Sequence, residues 1–73
     1  MDLAAIKTAF RRRIHIQHNI IFTNGKPNNV HIGGKARNVH EIQLAIAAVQ
    51  EVAPDAHIDL KGAFNSLVIK TEH

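Results

Sequence analysis

Asn24-Gly25, set between two segments whose apolar residues recur at every second position, is the strongest hairpin signal in the chain. Asn and Gly tolerate the positive φ that tight hairpin turns require, so the segments on either side are expected to run as antiparallel neighbours. Before the turn, Ile14, Ile16, Ile20 and Phe22 share one parity while His15, Gln17 and Asn19 share the other. After it, Pro27, Asn28 and Asn29 lengthen the loop and Val30, His31 and Ile32 resume the alternation. His18 falls on the apolar parity, which implies a bulge or a half-buried imidazole.

Outside this hairpin the period changes to that of a helix. Asp2 can cap a first helix over about residues 3 to 12, with Leu3, Ile6 and Phe10 on one stripe and Arg11, Arg12 and Arg13 at the C-terminal end, where cations suit the dipole. Gly33-Gly34 ends the second strand, and Asn38 can cap a longer helix whose Val39, Ile42, Ile46, Val49 and Ala53 repeat at helical spacing until Pro54 stops it. His57 to Leu60 alternates again, Lys61 to Asn65 reads as a hairpin loop, and Leu67 to Thr71 supplies a last strand. The sum is an α+β fold of order α-β-β-α-β-β, a mostly antiparallel sheet with two helices packed on one face.

Seventy-three residues make one small domain, residues 1 to 73, near the lower end of what folds unaided, so a homodimer would help it. If Val39, Ile42, Ile46 and Val49 face the sheet, Leu44, Ala47 and Ala48 point nearly the opposite way. Either the first helix covers that face or it is the contact between two copies. The longest apolar run, Leu44 to Val49, is far short of the roughly 20 residues of a membrane span. The N-terminus lacks the order of a secretory signal, which leaves the cytoplasm as the default compartment unless the chain is a domain of a longer protein.

Charge is divided along the sequence. Residues 1 to 37 carry Lys7, Arg11, Arg12, Arg13, Lys26, Lys35 and Arg37 against Asp2, a net +6, whereas residues 38 to 73 are net −3. Gathered on one side, those seven cations would form a basic face for phosphate or carboxylate groups, which points to nucleic acid or an acidic protein surface as partner. The segment Ile32 to Asn38 adds two glycines and two cations at a helix N-terminus, a possible anion cradle whose simpler reading is a turn. There is no Trp or Tyr, Phe10 and Phe22 read as core, and only Phe64 could stack on a base.

No chemistry-bearing constellation stands out. Six histidines, among them His15, His31 and His57 on outward parities, could meet on an open sheet face, yet no carboxylate or cysteine accompanies them at ligand spacing, so no metal or other cofactor is expected. His57 and Asp59 could form an acid/base couple, but cross-strand pairing explains them as well, and no enzyme activity is expected.

The run from Val30 to Glu41, the alanine-rich helix to Val52-Ala53-Pro54, then Ile58 and Leu67-Val68-Ile69 resembles the pattern of BON domains, and is similar to that of the ring-building domains of secretion systems. The resemblance implies a noncatalytic module that binds phospholipid or assembles with its own copies. The sequence departs from it in lacking an export signal and in carrying an extra hairpin from His57 to Thr71. The expectation is therefore a noncatalytic binding module with a basic face. The alternative is a self-assembling or protein-interaction module, including an inhibitor of another protein.

Overall fold

A computed structural model describes residues 2–25 and 28–61. Helix α1 (Leu3–Arg13) begins where the Asp2 carboxylate accepts the Ala5 N–H at 3.0 Å, and it ends in three arginines. Strands β1 (Asn19–Gly25) and β2 (Asn29–Lys35) form the expected antiparallel pair, with Asn19 opposite Lys35 and Gly25 opposite Asn29. Helix α2 (Val39–Val52) starts at Asn38, whose side-chain oxygen accepts the Glu41 N–H at 3.0 Å. Pro54 lies just beyond its end, in a turn closed by the Ala56 N–H donating to Ala53.

Strand β3 (His57–Leu60) then pairs with β2 in parallel, His57 opposite Asn29 and Leu60 opposite Ile32. The sheet order is β1-β2-β3. The α+β class is as expected, but the sheet is mixed where a mostly antiparallel one was predicted, and it has three strands among the described residues. Length explains the parallel pair. The 14 residues of α2 rise about 21 Å, close to the roughly 23 Å spanned by the seven residues of β2. The helix thus returns the chain to the level at which β2 began. The predicted last strand, Leu67 to Thr71, and most of the Lys61 to Asn65 loop lie outside the described residues.

The two helices bury their apolar stripes on one face of the sheet. Ile6, Ala9 and Phe10 of α1 join Ile20 and Phe22 of β1, Val30 and Ile32 of β2, and Ile42, Ala45, Ala48 and Val49 of α2 in one core, with Ile58 and Leu60 packed against it. The other face carries Asn19, Ile21 and Thr23 of β1, His31 of β2 and His57 and Asp59 of β3, and Ile21 is 58% exposed there. Residues 14 to 18 form a loop where the period-two pattern predicted strand. Ile14 is buried as the α1 cap residue, its N–H donating to Phe10, and Ile16 is left exposed.

Two glycines are fixed by close approach. Gly34 has φ +89°, and a Cβ there would lie 2.0 Å from the Asn19 carbonyl oxygen. At Gly25 a Cβ would meet the His31 ring, 2.2 Å from Nε2. The ring of His31 therefore lies over the last residue of β1.

Candidate functional site: the basic surface

Of the seven cations expected to form the basic face, six lie among the described residues: Arg12, Arg13 and Arg37 are ion-paired within the chain, whereas Lys7, Arg11 and Lys35 make no ion pair there. Arg12 and Arg13 both turn to Glu51 on α2: Arg12 makes a short contact to Oε2, and Arg13 lies 2.7 Å from Oε1 while also donating to the Ala9 carbonyl. These hydrogen bonds, and the charges behind them, hold the Glu51 carboxyl below the ordinary glutamate value. Arg37 turns to Glu41. Its backbone N–H donates to Oε1 at 3.0 Å and its Nε to Oε2 at 2.7 Å. Lys26 lies outside the described residues. Its neighbour Gly25 stands at the opposite end of the β1–β2 ladder from Lys35.

Glu41 is the one buried charged residue among the described ones, 4% exposed. Burial pushes its pKa up, but the Arg37 backbone and guanidinium hydrogen bonds and the Arg37 charge, with a small contribution from His18, outweigh this and leave it below the usual value near 4.5. A carboxylate lowered in the folded state stabilises the protein above its unfolded pKa and loses that contribution as pH falls through the folded value. Glu41→Gln is expected to cost about 1–3 kcal/mol at neutral pH, since it replaces a buried charged acceptor of two Arg37 hydrogen bonds by a neutral one. Urea unfolding followed by circular dichroism should show that loss at pH 7, with a shallower decline than the parent's as the pH drops below the glutamate range.

Four exposed cations make no ion pair among the described residues: Lys7 and Arg11 on α1, Lys35 at the end of β2 and Lys61 just after β3. Register places the last two together. Asn19 pairs with Lys35 and Ile32 with Leu60, so the start of β1 and the ends of β2 and β3 share one end of the sheet, where α2 also begins. The Lys61 N–H donates to the Ile32 carbonyl, and the Lys61 Cβ would sit 3.7 Å from a Cβ built on Gly33. Asp55 is at the far end, its carbonyl accepting from Asn28 at 3.1 Å.

Lys7 and Arg11 line a cavity of about 200 Å³ together with Phe10, His18, Ile20 and Phe22. The His18 ring packs edge-on against Phe10, centroids 4.6 Å apart, and Phe10 packs in the same way against Phe22 at 5.5 Å. This is the half-buried imidazole that the interrupted alternation implied. A second groove of about 440 Å³, lined by residues that include Arg13, His15, Ile16, Arg37, His40 and Leu44, runs between the 14–18 loop and the start of α2.

The histidines do not gather. His31 and His57 share the open face, but His15 lies in the loop. Asp59 faces His31 across the parallel ladder, 3.4 Å from Nδ1, rather than pairing with His57. The two groups are close without a hydrogen bond: the His31 Nδ1 is buried with no hydrogen-bond partner among the described residues. Among the described residues no group of three metal-ligating side chains forms, and no helix is long and apolar enough to cross a membrane.

The proposed dimer face needs correction at Ala48. That residue is fully buried within the chain, because α1 lies over the second apolar stripe of α2, while Ala47 is half-buried and Leu44 packs partly against the core. What sequence reasoning missed is the Arg37 to Glu41 pair. Its i, i+4 spacing, and a glutamate three residues after the Asn38 cap, were the available signals. In comparisons with protein-family models, curated proteins and solved structures, the chain matches none.

Proposed function

We propose that this chain is a small noncatalytic module that binds an anionic partner, nucleic acid in the first instance, through phosphate contacts rather than base readout. The observation that carries the reading is the division among its cations. Arg12, Arg13 and Arg37 are taken up by Glu51 and Glu41, whereas Lys7, Arg11, Lys35 and Lys61 stay exposed with no carboxylate partner among the described residues. Phe10 and Phe22, the two phenylalanines among the described residues, are buried and offer no stacking surface there, which favours contacts that ignore sequence. The competing reading, assembly of basic half on acidic half between copies, loses part of its electrostatic support because Glu41 and Glu51 meet their cations within the chain.

Salt dependence tests this. Fluorescence anisotropy with a labelled single strand is expected to show binding at about 50 mM NaCl that weakens log-linearly with salt, with a slope of about −3 if four phosphates are neutralised. Replacing Lys35 and Lys61 by alanine should flatten that slope by about half, roughly 1.5. Absence of binding at low salt, or binding that salt leaves unchanged, would overturn the proposal.

A further inference from the structure

The cavity between α1 and the edge of β1 is built from donors. Lys7 and Arg11 sit one turn apart on an exposed face of α1, and both reach the same pocket. His18, the third polar member, has its tautomer set by the backbone: Nδ1 accepts the Ile20 N–H at 3.3 Å, so in the neutral ring Nε2 carries the proton and is left as the available donor. Phe10 braces the ring from the core side. Among the described residues no carboxylate lines the space, and its apolar lining is Phe10, Ile20 and Phe22. Two permanent cations and an oriented imidazole N–H around a volume of about 200 Å³ match one oxyanion of high charge better than an extended backbone.

We infer that the Lys7, Arg11 and His18 cavity is a phosphate-binding site that takes a terminal phosphomonoester, such as the 5′-phosphate of a nucleic-acid strand. A monoester carries about −1.5 to −2 charge near neutral pH and three acceptor oxygens. It suits two cations and a neutral donor, whereas an internal phosphodiester brings a single charge. The inference rests on the anion-binding reading in that it names what occupies one end of the proposed surface. Lys35 and Lys61, at the same end of the sheet, would then meet the following phosphates.

The test uses the full chain and three probes: inorganic phosphate, a short single strand bearing a 5′-phosphate, and the same strand with a 5′-hydroxyl. Amide resonances of residues 7 to 11 and 18 to 20 are expected to move most in an NMR titration with phosphate. The 5′-phosphorylated strand is expected to bind about tenfold tighter than its hydroxyl counterpart, the scale of one charge-assisted contact set. Lys7→Ala with Arg11→Ala should abolish that difference. His18→Phe, which keeps a ring against Phe10 but removes the donor, should reduce it, with circular dichroism confirming that each variant folds. Equal affinity for both strands, insensitive to Lys7 and Arg11, would overturn the site while leaving the anion reading in place. Phosphate shifts at residues 7 to 18 with neither strand bound would uphold the site and overturn the nucleic-acid reading.

Discussion

Phe10→Ala is expected to destabilise the protein by about 3–5 kcal/mol, the range for truncating a fully buried aromatic ring. Phe10 is 0% exposed and stands at the junction of α1, β1 and the His18 ring, so its removal leaves a cavity that three elements line. A domain of this length holds only about 4–11 kcal/mol in all, so the variant should be close to unfolded at ambient temperature. Thermal unfolding should show a midpoint lowered by more than about 10 °C. A loss below about 1 kcal/mol would mean that the ring is not packed as described. Phe10→Leu, which keeps apolar volume, should retain most of the stability yet loosen the imidazole that Phe10 braces.

The second large effect belongs to Gly34. A residue with a side chain at φ +89° is strained, and here the added Cβ would also meet backbone, the Asn19 carbonyl, at 2.0 Å. Backbone cannot swing aside as a side-chain tip can, so the β1–β2 ladder must open at its Asn19 end to accept Gly34→Ala. A cost of about 2–4 kcal/mol is expected from strain and overpacking together. Gly33→Ala is the matched control: the nearest atom is the Lys61 Cβ at 3.7 Å, an ordinary contact, and the change should cost well under half as much. Equal losses in chemical denaturation for both variants would show that local strand entropy, rather than the close approach, governs this turn.

Much of the fold was legible because the signals were local. Asp2 and Asn38 cap the helices they precede, Asn24-Gly25 ends β1 at the expected hairpin, Pro54 follows the end of α2, and His57 to Leu60 is a strand. The direction of β3 was not legible, because alternation fixes which side chains share a face and says nothing about which way the strand runs. Ile14 and Ile16 misled for a related reason: two isoleucines of one parity imitate a strand, yet one is buried by the end of α1 and the other is exposed in a loop.

The site was read less well than the fold. Arg12 and Arg13 meet Glu51 across 39 and 38 residues of sequence, and no local pattern announces a partner so distant. The cations along α1 therefore looked equivalent, and packing of α1 across α2 separated Arg12 and Arg13, which meet Glu51, from Lys7 and Arg11. The same packing explains why Ala48 is core. An alanine-rich second stripe suits close approach by a neighbouring helix of the same chain as well as one from another copy.

The mixed sheet also implies an order of assembly. The β1–β2 ladder closes over a connection of a few residues, whereas the β2–β3 ladder brings together positions 28 apart, such as Asn29 and His57, and must wait until the intervening helix has formed and docked. Until then one side of β2 presents unpaired amides and carbonyls while Val30 and Ile32 still lack Ile58 and Leu60 beside them. The nascent hairpin is thus a sticky template during folding, shielded only when its own C-terminal neighbour arrives.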